Sequence, residues 1–220
     1  MTISLAAFDI AGTTVDEGGA VYRVLADVVA DHGTAAPDAD IRRWMGADKR
    51  EALAALTGDA GAVDELHAAF VKRLHAAYAE VPPAPLPGVP EALAALRGSG
   101  VRVVLTTGFD RQVTDPLLAA LGWTVGETLD GVVCAEEVAA GRPKPFMIQE
   151  AMRVTGVGDP AEVLVAGDTV LDVRAGRAAG AGLVVGVLTG AQTREELAAE
   201  HPTHVLDGVA DVPGLLSSLR

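Results

Sequence analysis

An α/β fold with a doubly wound parallel sheet is what three features of this 220-residue chain predict. Apolar runs recur at residues 3–8, 101–106, 131–134, 163–166 and 182–188. They are continuous instead of alternating, as strands covered on both faces are. Helix-like segments at 90–97, 111–121, 145–154 and 171–179 fall between them, so strand and helix alternate. Three of the runs also end on oxygen-bearing side chains, at the carboxyl edge where open parallel sheets bind ligands.

The first run lies in "AAFDIAGTTVDEGG", residues 6–19. Asp9 closes it, and small or hydroxyl residues follow at once: Ala11, Gly12, Thr13 and Thr14. Residues 16–87 then break the rhythm, with no strand expected. Val63, Leu66, Phe70, Leu74 and Ala77 recur at helical spacing. The stretch "RRWMGADKREALAAL" starts a helix with Asp48 as N-cap and Glu51 three residues later. "VPPAPLPGVP", residues 81–90, cannot continue a helix and reads as a linker. The expected organisation is a sheet domain of residues 1–15 and 88–220 with a helical domain, 16–87, inserted.

Beyond the linker, the second run ends on Thr106-Thr107-Gly108, and the fourth leads into "AGDTVLD", carrying Asp168 and Asp172. Between them, "AAGRPKPFM" places Arg142 and Lys144 ahead of a helix starting near Pro145. Taken singly, a strand-end aspartate is an ordinary turn or cap residue and Arg142 an ordinary surface charge. Their order along one chain is more telling. With the strands side by side, carboxylates and a hydroxyl converge on one mouth. Such a set suits Mg²⁺, which takes a few carboxylates together with water and phosphate oxygens.

Thirty acidic against 17 basic residues leave a net charge of −13, which repels nucleic acid. A small anionic substrate remains compatible, because local donors can oppose the global sign. No apolar run is long enough to span a bilayer, and no charged leader precedes one. The single cysteine, Cys134, reads as a buried structural thiol and points to a reducing, cytoplasmic setting. His32, His67, His75, His201 and His204 sit in no motif and read as surface residues.

The set "FDIAGTTVD", "VVLTTGF", "GRPKP" and "GDTVLD" resembles the four motifs of the haloacid dehalogenase superfamily, over the whole chain. The helical insertion resembles that superfamily's cap. Most phosphatases of the superfamily carry Asp where Ala11 stands and Lys where Arg142 stands. Both departures match the phosphonatase-like branch, that of phosphonoacetaldehyde hydrolase. The resemblance implies that Asp9 is the nucleophile that attacks phosphorus. It implies Mg²⁺ held by the Asp9 carboxylate, the Ala11 carbonyl and the Asp168 carboxylate. Thr106, within the Thr106-Thr107-Gly108 strand end, would hydrogen-bond a phosphoryl oxygen. Arg142 would hold Asp9 and the phosphoryl charge, and Asp172 would act from behind. Gly12 and Thr13 would offer backbone amides, in an anion nest consistent with their tight turn. The family also fits either a monomer or a cap-mediated homodimer.

"MGADK" is similar to the segment in which Met and Gly precede the branch's imine-forming lysine, so Met45 and Lys49 fall on functional positions. Without the resemblance, Lys49 reads as a solvated surface lysine. The helix start and Arg42, Arg43 and Arg50 would depress its pKa, and Asp48 and Glu51 would raise it. One position departs from the branch, which carries a histidine three residues after the lysine as a proton shuttle; here it is Ala52.

Ala11 sharpens the chemical question. A phosphate ester leaves as an alkoxide and needs a general acid, assistance typically worth ~10²–10⁴-fold. Alanine has no proton to give. If a lysine condenses with a carbonyl beside a C–P bond, the protonated imine accepts the electrons of the leaving carbon and no alkoxide forms. The first expectation is therefore C–P cleavage of phosphonoacetaldehyde or a related 2-oxoalkylphosphonate. The alternative is a phosphatase acting on a small phosphate ester. A receiver module phosphorylated on Asp9 is a third reading. The long insertion and the lack of a paired acid beside Asp9 speak against it.

Overall fold

The computed structural model describes residues 2–219. Strand β1 (Leu5–Phe8) is wholly buried, as its unbroken apolar run predicts. A two-residue strand, β2 (Val15–Asp16), leads into four helices: α1 (Ala20–Asp31), α2 (Asp38–Arg43), α3 (Lys49–Thr57) and α4 (Val63–Glu80). Strand β3 (Ala84–Pro85) brings the chain back. The remainder alternates through α5 (Val89–Gly98), β4 (Arg102–Thr107), α6 (Arg111–Leu121), β5 (Gly131–Cys134) and α7 (Phe146–Thr155). It continues through β6 (Val163–Gly167), α8 (Val170–Ala178), β7 (Leu183–Val187), α9 (Arg194–Ala199), β8 (His204–Leu206) and α10 (Val212–Ser218).

Six strands form a parallel sheet in the order β5-β4-β1-β6-β7-β8. Phe8 pairs with Leu105 on one side and Ala166 on the other, so Asp9, Thr106 and Gly167 stand at one level. The chain crosses to opposite sides of β1 here, which makes this edge the topological switch point. Alternate residues of β1 serve two cores. Leu5 and Ala7 pack with Met147 and Ile148 of α7, while Ala6 and Phe8 join the cluster holding Leu93, Leu96, Val113 and Leu117.

The four inserted helices bury their own apolar stripe, with Leu25, Val28, Leu53, Phe70 and Leu74 in the cluster that continues beneath them. The spacing expected around 60–80 is α4. Two short strands were not expected in or beside 16–87. β2 and β3 pair antiparallel, Val15 with Pro85 and Asp16 with Ala84, where the chain leaves and re-enters the sheet unit. Two residues carry no period, and the prolines that suggested a linker suit an edge strand. The edge strand β8 also escaped the reading, being three residues long and only half-buried.

Candidate active site

Asp9 follows β1, held by its amide, which donates to Ala166 O at 3.0 Å. Its carboxylate meets Arg142, whose Nη1 donates to Oδ1 at 2.6 Å. The same guanidinium approaches Asp172 Oδ1 through Nε at 2.8 Å and donates through Nη2 to the Thr106 carbonyl at 2.8 Å and hydroxyl at 2.9 Å. A fourth bond runs from Nη1 to Gly46 O, in the inserted unit, at 3.1 Å. Arg142 is therefore no surface charge: it is buried among two carboxylates and two main-chain oxygens. A planar, permanently charged fork is suited to that junction. Lys144, two residues on, is exposed.

Asp172 faces Arg142 with one oxygen. Its Oδ2 accepts from the Thr169 amide at 3.1 Å and hydroxyl at 2.6 Å, in a capping box at the start of α8. Asp168 is committed as well. Thr13 Oγ1 donates to its Oδ1 at 2.8 Å, and the Ala191 amide to Oδ2 at 2.9 Å. Burial pushes the Asp9 carboxyl up to about 6, with Arg142 opposing, and pushes Asp168 up to about 7, with Asp9 adding to the rise. Two buried carboxylates that destabilise one another's charge are a fitting place for a cation. No three His, Cys, Asp or Glu side chains cluster as a metal site among the described residues. A metal here must therefore also use main-chain or water oxygens, as Mg²⁺ commonly does.

Gly12 and Thr13 behave differently from the expectation. The Gly12 amide donates to Val15 O at 2.9 Å and the Thr13 amide to Ile10 O at 3.2 Å, so both close the turn instead of facing outward as a nest. Thr13 acts through its hydroxyl on Asp168. Gly12 has φ +79°, and a Cβ there would meet Asp168 Oδ2 at 2.9 Å, so this turn needs glycine.

Lys49 opens α3, and Asp48 caps that helix by accepting from the Glu51 amide at 2.9 Å. The lysine is not solvated. It is only 4% exposed, its Nζ donating to Ala47 O at 2.8 Å and standing 5.5 Å from the centre of the Phe109 ring. Burial brings its pKa down to about 8; Asp9 and Asp48 work against the shift and Arg142 with it. The nearby arginines invoked from sequence are not the main cause. A small cavity of about 20 Å³ is lined by Asp9, Ala11, Met45, Lys49, Thr107, Gly108 and Asp168, among others. An open cavity of about 460 Å³ adjoins it, sharing Ala11, Met45 and Asp168 and adding Gly12, Tyr22, Arg23 and Arg42.

The structure thus gathers Asp9, Lys49, Met45, Thr107, Gly108, Ala11 and Asp168 at one cavity, with Thr106, Arg142 and Asp172 packed behind Asp9. Sequence reasoning missed Thr189, Gly190 and Ala191, the loop after β7 that closes on Asp168. Their signal was present: that run also ends on a Thr-Gly pair, like the one after β4.

A sequence model of the haloacid dehalogenase-like hydrolases matches residues 3–180. Phosphonoacetaldehyde hydrolase from Bacillus cereus is 32% identical over 217 residues, covering 90% of this chain and 81% of that protein. This chain belongs to the haloacid dehalogenase-like hydrolases, as a phosphonatase-like member. Solved structures agree on the fold of this hydrolase. A hydrolase from Pseudomonas syringae superposes with a TM-score of 0.86 at 21% identity, covering 98% of this chain and 99% of that one. A phosphonoacetaldehyde hydrolase-like protein from Oleispira antarctica gives 0.83 at 22%, covering 100% and 93%. No described helix of the hydrolase is long and apolar enough to cross a membrane.

Proposed function

We propose that this hydrolase cleaves the C–P bond of phosphonoacetaldehyde or a related 2-oxoalkylphosphonate, with Asp9 as nucleophile and Lys49 as the imine-forming residue. One observation carries the reading. A buried lysine amine, part of it neutral at ordinary pH, lines the same small cavity as the buried carboxylate. The similarity to phosphonoacetaldehyde hydrolase supports it.

In this scheme the neutral Lys49 amine adds to the substrate carbonyl, takes up one proton from solvent and expels water, leaving a protonated imine; the proton is returned when that imine is hydrolysed at the end. Asp9 then attacks phosphorus. The C–P electron pair moves into the iminium, forming an enamine and an aspartyl phosphate. Water hydrolyses the acyl phosphate and releases phosphate. The enamine takes a proton on carbon, and a second water frees the aldehyde and regenerates Lys49. Arg142 orients Asp9 and offsets charge on the phosphoryl group. Asp172 and Thr106 fix Arg142 in turn.

Mg²⁺ would be held by Asp9, the Ala11 carbonyl and Asp168, and would supply positive charge for nucleophile and phosphoryl oxygens to meet. The paired, destabilised carboxylates fit it. We assign the cap to the helical unit of 16–87 and the hydrolytic core to 1–15 and 88–220.

Borohydride reduction in the presence of phosphonoacetaldehyde should inactivate the protein and leave a mass adduct on the Lys49 peptide. Lys49→Arg keeps the charge but cannot condense with an aldehyde at neutral pH. It should lose C–P cleavage while sparing slow ester hydrolysis that needs only Asp9 and metal. Equal loss of both activities, or of neither, removes Lys49 from the imine role. Ala52 supports a second reading, a small-ester phosphatase, because that position is fully buried and holds no proton shuttle. In that case Ala11→Asp should raise ester turnover by restoring a general acid.

A further inference from the structure

His67 and Asp110 make a buried contact between the two units that the chemistry above does not use. His67 belongs to α4, and Asp110 caps α6 in the sheet unit. Nε2 stands 3.2 Å from Oδ2, with side-chain exposures of 4% and 8%. From sequence His67 reads as a surface residue, since a lone histidine on an amphipathic helix shows nothing of what it faces; in the fold it is buried. Burial holds the imidazole below its ordinary 6.5. It is then mostly neutral at pH 7, with Nε2 set against the carboxylate at contact distance. Asp48, Arg50 and Glu136 are the other charged groups around it.

The carboxylate it grips ends the segment that lies under Lys49. Phe109, next in the chain, presents its ring to the lysine amine. At Gly108 the approach is so close that a Cβ would stand 2.3 Å from Ala47 O. Thr107 Oγ1 accepts from the Phe109 amide at 3.1 Å, and Asp110 Oδ1 from the Val113 amide at 3.2 Å. Segment 107–110 is thus gripped twice by the inserted unit. Residues 46–49 press on its middle, and His67 holds its end.

We propose that His67 is a positioning residue that, through Asp110, holds the inserted unit closed over Asp9 and fixes Phe109 beneath Lys49. Loss of the imidazole removes the one partner of Asp110 that belongs to the inserted unit; the carboxylate keeps Gln112 Nε2 at 3.3 Å and the Val113 amide at 3.2 Å, both on its own side, and the vacated face takes up water between the units. The inference rests on the reading of Lys49 for its consequence in catalysis, but not for its geometry.

Hydrogen exchange tests it on the whole chain, without substrate. In His67→Ala, amides of 46–51 and of 107–111 should exchange faster by on the order of tenfold or more, while β1 and β6 stay as in the parent. His67→Gln, whose polar amide can fill the same place against Asp110, should recover most of the protection. In parallel, kcat for C–P cleavage should fall in His67→Ala and return in His67→Gln. Unchanged exchange in both segments overturns the proposal. So does a uniform rise that includes β6, which would make His67 a support of the whole fold only. Should His67→Ala fail to fold, Asp110→Asn decides, since it keeps an acceptor for the α6 cap and removes the charge; the same two segments must respond. Failure to trap an adduct on Lys49 would sink the imine reading and leave the exchange result standing.

Discussion

Burial works against the charge on Asp9 and Asp168, and of the two Asp9 is the one in direct contact with the Arg142 guanidinium. A divalent cation would offset both, in competition with protons. Mg²⁺ affinity should therefore rise as pH climbs from 5.5 to 8, across the region near 6 and 7 where these carboxyls release protons. Calorimetric titration at the two pH values checks this, and equal affinities would refute it. Asp168→Ala should abolish the Mg²⁺-dependent activity with an unchanged circular dichroism spectrum, because its bonds are to a loop and to Thr13 instead of to the core. Asp9→Asn should stop turnover on every substrate, since an amide cannot form the aspartyl phosphate. Residual activity above a few per cent, with deamidation excluded by mass spectrometry, would remove Asp9 from that role.

Between elements, the decisive contacts are main chain against main chain. The start of α3 reaches the site because residues 46–49 lie directly on the turn after β4. Gly108 permits this, having Ala47 O and Gly46 O where a side chain would be. In Gly108→Ala the added methyl cannot be relieved by a rotamer change, so residues 46 and 47 must move. With them go the Gly46 bond to Arg142 and the Ala47 bond to Lys49. A shift of about 1 Å at reacting groups can cost on the order of 10²-fold. We expect kcat/KM to fall toward that amount while the melting temperature changes little, measured by steady-state kinetics and thermal unfolding. Full activity would mean that the closed arrangement of these loops is not the working one.

For the molecule as a whole, closure over the site ties stability to pH. His67 resists protonation when folded and accepts it readily when unfolded, where its pKa is ordinary. The unfolded state therefore binds more protons below pH 6.5, and stability rises with pH in that range. The contribution is complete above 6.5 and is lost as pH falls toward the lower folded value. The raised carboxyls Asp9 and Asp168 act in the opposite sense, but they are common to parent and variant. Denaturant unfolding of parent and His67→Gln at pH 7 and 5 should show the parent losing more stability. Parallel losses would mean that His67 is not titrating between folded and unfolded states.

By itself, the sequence determined the elements and the order of their chemistry. Continuous apolar runs marked five of the six sheet strands, because burial on both faces leaves a local trace. The Asp9 and Asp168 strand ends and the Asp48 cap were legible for the same reason: each is set by its neighbours in the chain. The strands β2, β3 and β8 were too short to carry a period. What only the tertiary structure decided is which charges are buried and what they face. Arg142 meets Asp9 across 133 positions of sequence, and Lys49 goes under cover because two loops close on it. The Asp168 clasp by Ala191 and the grip of His67 on Asp110 are likewise contacts between distant segments. Such pairings are set by how the sheet edge and the inserted helices come together in space, and no local periodicity records them.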